Sequence, residues 1–292
     1  MADRHFPRLG LIVKPESKRA SDGVKRIMQW GKKNSVEILA NSATAGLLKT
    51  KGLDDDELVK LADGLIVLGG DGTLLGAARL ATAESLPLLG INLGSLGFIT
   101  EVAFGEIEES LDKLAAGDYS IEERMMVDLK KGGAKDSGSN TALNDIVFSR
   151  KPTMKMIELS ISVNGHHVSG YRADGLIIST PTGSTAYALS AGGPILHPLL
   201  NSLLICPICT HTLTNRPIVI PGGSVIEIDF AAGQEGIIAT LDGQVYIDIN
   251  ETDHLTVSRS GRVTRFIKVP DRTHYDTLRS KLGWGGKTTD NA

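Results

Sequence analysis

The first part of the chain alternates between short apolar runs and segments with helical periodicity, and this alternation restricts the fold more than any other feature. Apolar runs at residues 8–13, 64–68 and 88–91 predict buried strands. Residues 73–83 are rich in alanine and leucine and predict a helix between two of these strands. Repeated strand–helix units favour a mostly parallel sheet covered by helices. We therefore predict an α/β domain over residues 1–122.

The pattern changes near Glu122, after which strand-like segments follow one another at short spacing. Apolar and polar residues alternate before Asn164-Gly165, a dipeptide that strongly favours a hairpin turn, and Asp242-Gly243 supplies a second turn. This spacing predicts an all-β, sandwich-like domain over residues 123–269. Residues 270–292 form a polar tail.

Length and charge limit the classes of function that fit the chain. Its 292 residues exceed the roughly 100–200 of one domain, so two domains are expected. The 31 Lys and Arg residues and 34 Asp and Glu residues give a net charge of −3, and no run of like charges exceeds residues 54–57. We therefore expect neither nucleic acid nor a membrane as a partner.

The cellular location follows from what the sequence does not contain. No apolar stretch approaches the roughly 18 residues of a membrane span. The apolar run at residues 9–13 is shorter than the signal-peptide core of about 7–15 residues. The chain has two cysteines, which provide no disulfide framework. These features predict a cytoplasmic protein.

The most informative motif is Gly69-Gly70-Asp71-Gly72-Thr73, which lies between a predicted strand and a predicted helix. Glycines let the backbone approach a ligand, and the N-terminus of a helix offers N–H groups to a phosphate. An aspartate would repel phosphate, so its presence suggests that it handles a hydroxyl proton or a metal beside the phosphate. The alternative is an ordinary tight turn. The chain lacks both the G-x-G-x-x-G dinucleotide fingerprint and a P-loop.

Two further polar segments adjoin apolar stretches. Residues 174–187 run from Asp-Gly through an apolar strand into Thr-Pro-Thr-Gly-Ser-Thr-Ala-Tyr. Hydroxyl groups can bind ribose or amide groups, and a tyrosine can flank a flat ring. A turn followed by a helix cap would explain the same residues. Asn144-Asp145 is a polar pair within an apolar stretch and fits either a ligand contact or a bulge.

These motifs together resemble the NAD kinases of the bacterial type. The resemblance rests on Gly69 to Thr73, on Asn144-Asp145, on residues 174–195 and on residues 211–217, and it covers most of the chain. Diacylglycerol and sphingosine kinases share Gly-Gly-Asp-Gly-Thr, but its combination with the long second segment is more specific. The resemblance implies an N-terminal α/β domain, a β-sandwich-like domain and a C-terminal tail that returns to the first domain.

The resemblance also implies a reaction, in which the γ-phosphoryl group of ATP passes to the 2′-hydroxyl of the adenosine ribose of NAD. It implies ATP and a divalent cation, Mg²⁺ by expectation, as the donor and its cofactor, with the metal ligands unidentified. Asp71 matches the catalytic aspartate, and the phosphate-binding residues would be Gly69, Gly70, Gly72 and Thr73. The NAD-binding residues would be Asp71, Gly72, Asn144, Asp145, Lys155, Arg172, Asp174, Thr182, Thr185, Ala186, Tyr187, Ala188, Leu189, Ser190 and Gln244.

Several questions stay open at this point. Arg172, just ahead of Asp174-Gly175, is similar to family members that accept NAD but not NADH, so we expect NAD selectivity. The resemblance implies a homodimer or a homotetramer, often with residues of a neighbouring subunit at the site. The donor could be ATP or inorganic polyphosphate. The rival functions are a lipid kinase of the diacylglycerol or sphingoid type and a non-catalytic dinucleotide-binding regulator.

Overall fold

The computed structural model describes residues 6–48, 50–132, 140–151, 156–211, 214–269 and 272–284. The chain divides into two units by its internal contacts. One unit consists of Met1–Glu123 together with Thr264–Ala292, and the other consists of Arg124–Val263. None of the helices in the described ranges combines the length and the apolar character needed to cross a lipid bilayer.

Strands and helices alternate through the N-terminal part of the first unit, with a short 3-10 turn before the fifth helix. The elements are β1 (Arg8–Val13), α1 (Ala20–Asn34), β2 (Glu37–Ala40), α2 (Ser42–Leu48), α3 (Asp55–Leu61), β3 (Gly64–Gly69), α4 (Asp71–Ala81), β4 (Pro87–Asn92), β5 (Val102–Ala103) and α5 (Ile107–Ala116).

The strands of this unit form a parallel sheet in the order β2-β1-β3-β4-β5. Apolar side chains of β1, β3 and β4 pack against those of α1 and α5 in one core, which includes Leu11, Val24, Ile66, Ile91 and Leu111. The predicted α/β domain with a mostly parallel sheet is confirmed. Residues at the carboxyl ends of β3 and β4 lie side by side, because Gly69 is paired with Asn92.

Helix α4 begins two residues earlier than the periodicity predicts. Gly70 is extended, with φ −119° and ψ −172°, and its carbonyl accepts hydrogen bonds from the amides of Thr73 and Leu74. Asp71 therefore belongs to the first turn of the helix and not to the loop before it. The sequence pattern missed this start because two of the first three helical positions are Asp71 and Gly72, which have low helix propensity.

The second half of the chain is dominated by strands, with a 3-10 turn at Thr182–Thr185. The elements are β6 (Ser120–Lys131), β7 (Thr141–Ala142), β8 (Asp145–Arg150), β9 (Ile157–Val163), β10 (His166–Ala173), β11 (Gly175–Ser179), α6 (Tyr187–Ser190), β12 (Ser202–Ile208), β13 (Ile218–Pro221), β14 (Val225–Phe230), β15 (Ile237–Leu241), β16 (Val245–Ile249), β17 (Leu255–Lys268) and α7 (His274–Leu282).

Two antiparallel sheets build the unit Arg124–Val263. One has the order β13-β12-β11-β8-β15-β16, and the other contains β10, β9, β14 and the first part of β17. Apolar residues from both sheets form one core, with Phe148 and Leu176 from the first sheet and Ile161 and Ile228 from the second. The sandwich-like prediction is confirmed, and so is the hairpin at Asn164-Gly165, where both residues have positive φ.

Strand β17 differs from the sequence expectation. The apolar pattern suggests two strands at residues 254–258 and 262–269, but the structure has one continuous strand. Its first part pairs with β14 in the second unit, and its last part, from Arg265, pairs in parallel with β4 in the first unit. Helix α7 follows it in the first unit.

Replacing Phe148 by alanine tests the importance of the sandwich core. The side chain is fully buried, and its ring lies 6.2 Å from that of Phe230, centroid to centroid. We expect Phe148→Ala to lower the free energy of unfolding by about 3–5 kcal/mol, through lost burial and a residual cavity. Urea unfolding measures this change. Tyr246→Ala, at a position 67% exposed, is the control and should change stability by less than about 0.5 kcal/mol. Equal losses for the two variants would contradict the prediction.

Candidate functional site

In the first unit, the carboxylate of Asp71 is held by a loop that follows β4. Its Oδ2 accepts a hydrogen bond from the amide of Phe98 at 2.8 Å. Its Oδ1 accepts from the amides of Ile99 at 3.3 Å and Thr100 at 3.0 Å, and from the Thr100 hydroxyl at 2.8 Å. The aspartate of the glycine-rich motif therefore has a fixed position at the carboxyl edge of the parallel sheet.

Only some of the glycines around Asp71 are required by packing within the protein. A Cβ at Gly97 would lie 1.9 Å from Asp71 Oδ1, so only glycine lets the loop approach the carboxylate. A Cβ at Gly69 would lie 2.4 Å from the Thr73 hydroxyl oxygen. A Cβ at Gly70 would meet nothing within 4 Å. Packing within the protein therefore does not explain Gly70, whereas close approach of a ligand would.

In the second unit, Asn144 and Asp145 are held at the start of β8 by another carboxylate. Asp242 Oδ2 accepts from the amide of Leu143 at 3.0 Å, and Oδ1 accepts from the amides of Asn144 at 2.7 Å and Asp145 at 3.3 Å. Asp242 lies in the hairpin turn between β15 and β16 and has φ +51°, a conformation that aspartate tolerates better than most residues. The backbone of the predicted polar pair is thus fixed by hydrogen bonds to Asp242.

The hydroxyl-rich segment after β11 packs directly on Asn144. The Thr180 amide donates to the Asn144 carbonyl at 2.9 Å, and the Thr180 hydroxyl donates to the Leu143 carbonyl at 2.6 Å. A Cβ at Gly183 would lie 2.1 Å from the Asn144 carbonyl oxygen. Gly183 is therefore required for this close approach, and the two motifs that the sequence singled out form one cluster.

Two polar groups in this cluster are buried. Asn144 Oδ1 is inaccessible and has no hydrogen-bond partner among the described residues, although the residue as a whole is half-buried. Arg124, which is 4% exposed, donates from Nη1 to the Thr182 hydroxyl at 3.3 Å. A buried unpaired acceptor and a buried cation at one place are unusual in a purely structural loop.

Burial shifts the titration of Asp145. Its side chain is almost fully buried, and loss of hydration, followed by the negative charge of Asp242, raises the pKa of Asp145 to about 7. Near neutral pH the group is present in both forms, so it can donate as well as accept a hydrogen bond. Carboxyl groups with such pKa values are frequent at functional sites.

The other predicted residues of this cluster continue from Thr182 into α6. The Thr185 hydroxyl donates to the Thr182 carbonyl at 3.2 Å, and Ala186 makes the turn into the helix. Within α6, Ala188 is buried and Tyr187 is 48% exposed, while Leu189 is half-buried and Ser190 is exposed. Gln244 is exposed and follows the Asp242-Gly243 turn, and its backbone N–H donates to the Leu241 carbonyl.

Arg172 and Asp174 lie elsewhere in the second unit. In the antiparallel pairing of β11 with β8, Ser179 is opposite Asp145 but Gly175 is opposite Ser149. Asp174 therefore lies beyond the far end of β11, roughly 20 Å from Thr180 at about 3.4 Å per residue. Arg172 is on β10, where it pairs with Glu158 at 3.3 Å. The predicted contact Lys155 lies outside the described residues.

Arg172 also borders a surface cavity of about 510 Å³. Arg150 and Glu158 line this cavity together with the loop at residues 231–234. Within the described ranges, no group of three or more His, Cys, Asp or Glu side chains could hold a metal ion.

Several residues of these clusters were not identified from the sequence. The dipeptide Asp242-Gly243 predicts only a hairpin turn, and nothing in the sequence indicates that Asp242 binds the amides of residues 143–145. Thr100 and Gly97 belong to a loop whose approach to Asp71 depends on the pairing of β3 with β4. Only Arg124 carried a usable signal, as a charged residue directly before the apolar Met125 to Val127.

Comparison with protein families identifies both units. A model described as ATP-NAD kinase N-terminal domain matches residues 9–119, and one described as ATP-NAD kinase C-terminal domain matches residues 143–269. The NAD kinase of Geotalea daltonii is 46% identical over 232 residues, which are 79% of this chain and 81% of that protein. The two family models therefore include the Asp71 motif and Asn144-Asp145, respectively.

Two solved structures are similar to this one over nearly the whole chain. The NAD kinase from Archaeoglobus fulgidus in complex with ATP has a TM-score of 0.78 and 29% identity, with 96% of this chain and 100% of that chain covered. Yeast NADH kinase complexed with NADH has a TM-score of 0.87 and 23% identity, with 100% of this chain and 94% of that chain covered. At that identity, the yeast structure supports the fold alone.

The raised pKa of Asp145 predicts a pH-dependent stability. The unfolded carboxyl loses its proton near pH 4, whereas the folded one keeps it until about pH 7. Between these values the folded state therefore binds more protons, and the stability contributed by this group falls as pH rises. Asp145→Asn removes that loss. We expect its stability relative to the parent to increase by about 3 kcal/mol from pH 5 to pH 8, at about 1.4 kcal/mol per pH unit up to pH 7. Urea unfolding at both pH values measures it, and a difference independent of pH would contradict the expectation.

Proposed function

The chain belongs to the ATP-NAD kinase family, and we propose that it transfers the γ-phosphoryl group of ATP to the 2′-hydroxyl of the adenosine ribose of NAD, giving NADP. It is a phosphotransferase with an alcohol acceptor, as the relatives are. The observation that carries the proposal is the fixed carboxylate of Asp71 within the Gly-Gly-Asp-Gly-Thr motif. The lipid-kinase alternative shares only that motif, whereas the family match extends through the second unit.

Asp71 acts as the general base in this proposal. A base must lie within hydrogen-bond reach of the proton that it takes, and the loop amides hold the Asp71 carboxylate in one place. As the 2′-oxygen attacks the γ-phosphorus, its bond to hydrogen breaks and the proton passes to Asp71. The bond between the γ-phosphorus and the bridging oxygen breaks, and ADP leaves with the electron pair. Positioning and charge stabilisation account for most of the catalysis in phosphoryl transfer.

The N-terminus of α4 binds the phosphate chain in this proposal. Gly69, Gly70, Gly72 and Thr73 surround the positive end of the helix dipole, which favours a negative group. The space beside Gly70 lets phosphate oxygens approach the backbone. A divalent cation, Mg²⁺, would be held mainly by the phosphates of ATP and would neutralise part of their charge. Mg²⁺ is usually bound through one or two carboxylates and the substrate phosphates.

NAD contacts the Asn144 cluster in this proposal. The half-buried Asn144 side chain offers its amide group to a ribose hydroxyl or a ring amine, and Asp145 can donate or accept. The segment Thr182, Thr185, Ala186, Tyr187, Ala188, Leu189 and Ser190 forms the wall around a base, with the exposed Tyr187 available to flank a flat ring. Gln244 contributes from the neighbouring turn.

A second copy of the chain supplies Arg172 and Asp174 in this proposal. Asp174 lies beyond the end of β11 that is opposite the Asn144 cluster, and Arg172 precedes it on β10 of the other sheet. One chain is therefore not expected to bring them to the same part of a ligand as Asn144. A homodimer or a homotetramer in which one copy's Asp174 faces the other copy's Asn144 cluster would unite them. The role of Lys155 and the cytoplasmic location stay predictions from the sequence.

Replacing Asp71 by asparagine tests the proposed base. Asp71→Asn keeps the size and one acceptor oxygen but cannot take the proton, so we expect kcat to fall by about 10²- to 10⁴-fold with little change in NAD affinity. NADP formed from ATP, Mg²⁺ and NAD is measured with an NADP-dependent dehydrogenase, and NAD binding is measured by calorimetry. A variant that binds NAD and forms NADP at the parental rate would refute the role of Asp71. Failure of the folded parent to form NADP, with polyphosphate also inactive, would refute the proposed reaction.

Arg172 is proposed to favour NAD over NADH. The Arg172 side chain and its ion pair with Glu158 are exposed, and exposed ion pairs are weak, so a ligand can compete for Arg172. We expect the parent to use NAD with a kcat/KM at least about tenfold above that for NADH, and Arg172→Gly to narrow this ratio. Arg259→Gly, at another exposed arginine on a strand of the same unit, should leave the ratio unchanged. Comparable turnover of NADH by the parent would contradict the proposal.

A further inference from the structure

The two oxygens of the Asp71 carboxylate are not equivalent. Oδ1 accepts three hydrogen bonds, from the amides of Ile99 and Thr100 and from the Thr100 hydroxyl, whereas Oδ2 accepts one, from the amide of Phe98. An ionised carboxylate can accept about four hydrogen bonds, two at each oxygen. Oδ1 is therefore saturated, and Oδ2 is the oxygen that retains a lone pair for a further partner.

The direction of the bond from Thr100 to Asp71 is fixed by a chain of donors that begins in the backbone. The Gly94 amide can only donate, so its 2.7 Å contact makes the Asn92 atom an acceptor oxygen, Oδ1. The other amide atom of Asn92, Nδ2, must then donate to the Thr100 hydroxyl oxygen, at 2.7 Å. The single hydroxyl proton of Thr100 is left for Asp71 Oδ1, at 2.8 Å.

Burial makes this chain rigid. Asn92 is 4% exposed and Thr100 is fully buried, so neither side chain is placed to contact a substrate. Hydrogen bonds are stronger in such surroundings, and an unpaired group is costly, which keeps each side chain in one rotamer. Gly97 brings the loop so close that a Cβ would lie 1.9 Å from Asp71 Oδ1.

We propose that Thr100 and Asn92 are positioning residues for phosphoryl transfer. Thr100 binds Oδ1 of Asp71, and Asn92 orients the Thr100 hydroxyl for that bond. Oδ2 alone is then presented to the 2′-hydroxyl of NAD, which makes Oδ2 the atom that receives the proton. The inference rests on the proposed role of Asp71 as the base. The arrangement matters because a displacement of about 1 Å in a reacting group can reduce the rate on the order of 10²-fold.

The test compares two substitutions at the same position. Thr100→Val has the same shape but no hydroxyl, and Thr100→Ser keeps the hydroxyl. We expect Thr100→Val to lower kcat by about 10- to 100-fold with KM for NAD and for ATP within about threefold of the parent, and Thr100→Ser to keep kcat within about threefold. NADP formation at saturating substrates and the two KM values are measured.

A buried threonine away from the site controls for stability. Thr44 is fully buried, and its hydroxyl donates to the Leu11 carbonyl at 3.1 Å in the same unit. Thr44→Val should lower the melting temperature about as much as Thr100→Val does but leave kcat unchanged. Equal losses of kcat in these two variants, or parental kcat in Thr100→Val, would overturn the inference.

Two further variants keep the outcome decisive. If Thr100→Val fails to fold, Gly97→Ala replaces it, because its Cβ displaces Asp71 Oδ1 without removing a hydrogen-bonding group. We then expect a similar loss of kcat, and parental kcat in Gly97→Ala would overturn the inference. Asp71→Asn separates the two hypotheses. Parental activity in Asp71→Asn overturns both, whereas inactive Asp71→Asn with fully active Thr100→Val overturns the positioning role alone.

Discussion

Each unit of this chain depends on an aspartate whose carboxylate accepts hydrogen bonds from three consecutive backbone amides. Asp71 holds Phe98 to Thr100, and Asp242 holds Leu143 to Asp145. Charge-assisted bonds of this kind are about twice as strong as neutral ones, and three together fix a loop in one conformation. These amides lie in segments with little regular secondary structure. Without the two carboxylates, their N–H groups would have no partner from a helix or a sheet. The functional clusters are therefore built around these two side chains.

The two carboxylates serve different purposes despite the same geometry. Asp71 is itself the proposed base, so the loop holds the aspartate as much as the aspartate holds the loop. Asp242 has a structural role, because it orients Asn144, whose Oδ1 is unpaired, and Asp145. Its negative charge also raises the pKa of Asp145. The same type of contact thus fixes the proposed base in one unit and, in the other, orients a carboxyl group that is present in both forms near neutral pH.

The sequence predicts the elements well and their contacts poorly. Periodicity alone predicts the parallel and the antiparallel unit. A strand that is buried on both faces reads as a continuous apolar run, and a strand that is buried on one face alternates between apolar and polar residues. Periodicity also gave Asp71 and the polar pair Asn144-Asp145, because polar residues next to apolar strands interrupt that pattern. It did not give Thr100, Asn92 or Asp242, because their roles depend on which strands are neighbours and in which register. The sequence pattern also predicts two strands where the structure has the single strand β17. The reason is that the two halves of β17 bury different faces and pair with different strands.

The continuous strand β17 has a consequence for synthesis of the chain on the ribosome. The first unit needs the end of β17, where Arg265 pairs with Pro87, and that strand emerges only after the entire second unit has been made. The edge of β4 stays without this neighbour while residues 124–263 are translated, and an uncovered strand edge is open to pairing with other chains. The second unit, by contrast, has its full set of strands as soon as the first part of β17 leaves the exit tunnel. Nascent chains of this protein are therefore most exposed to misassociation during translation of the inserted unit, and slow translation there lengthens that interval.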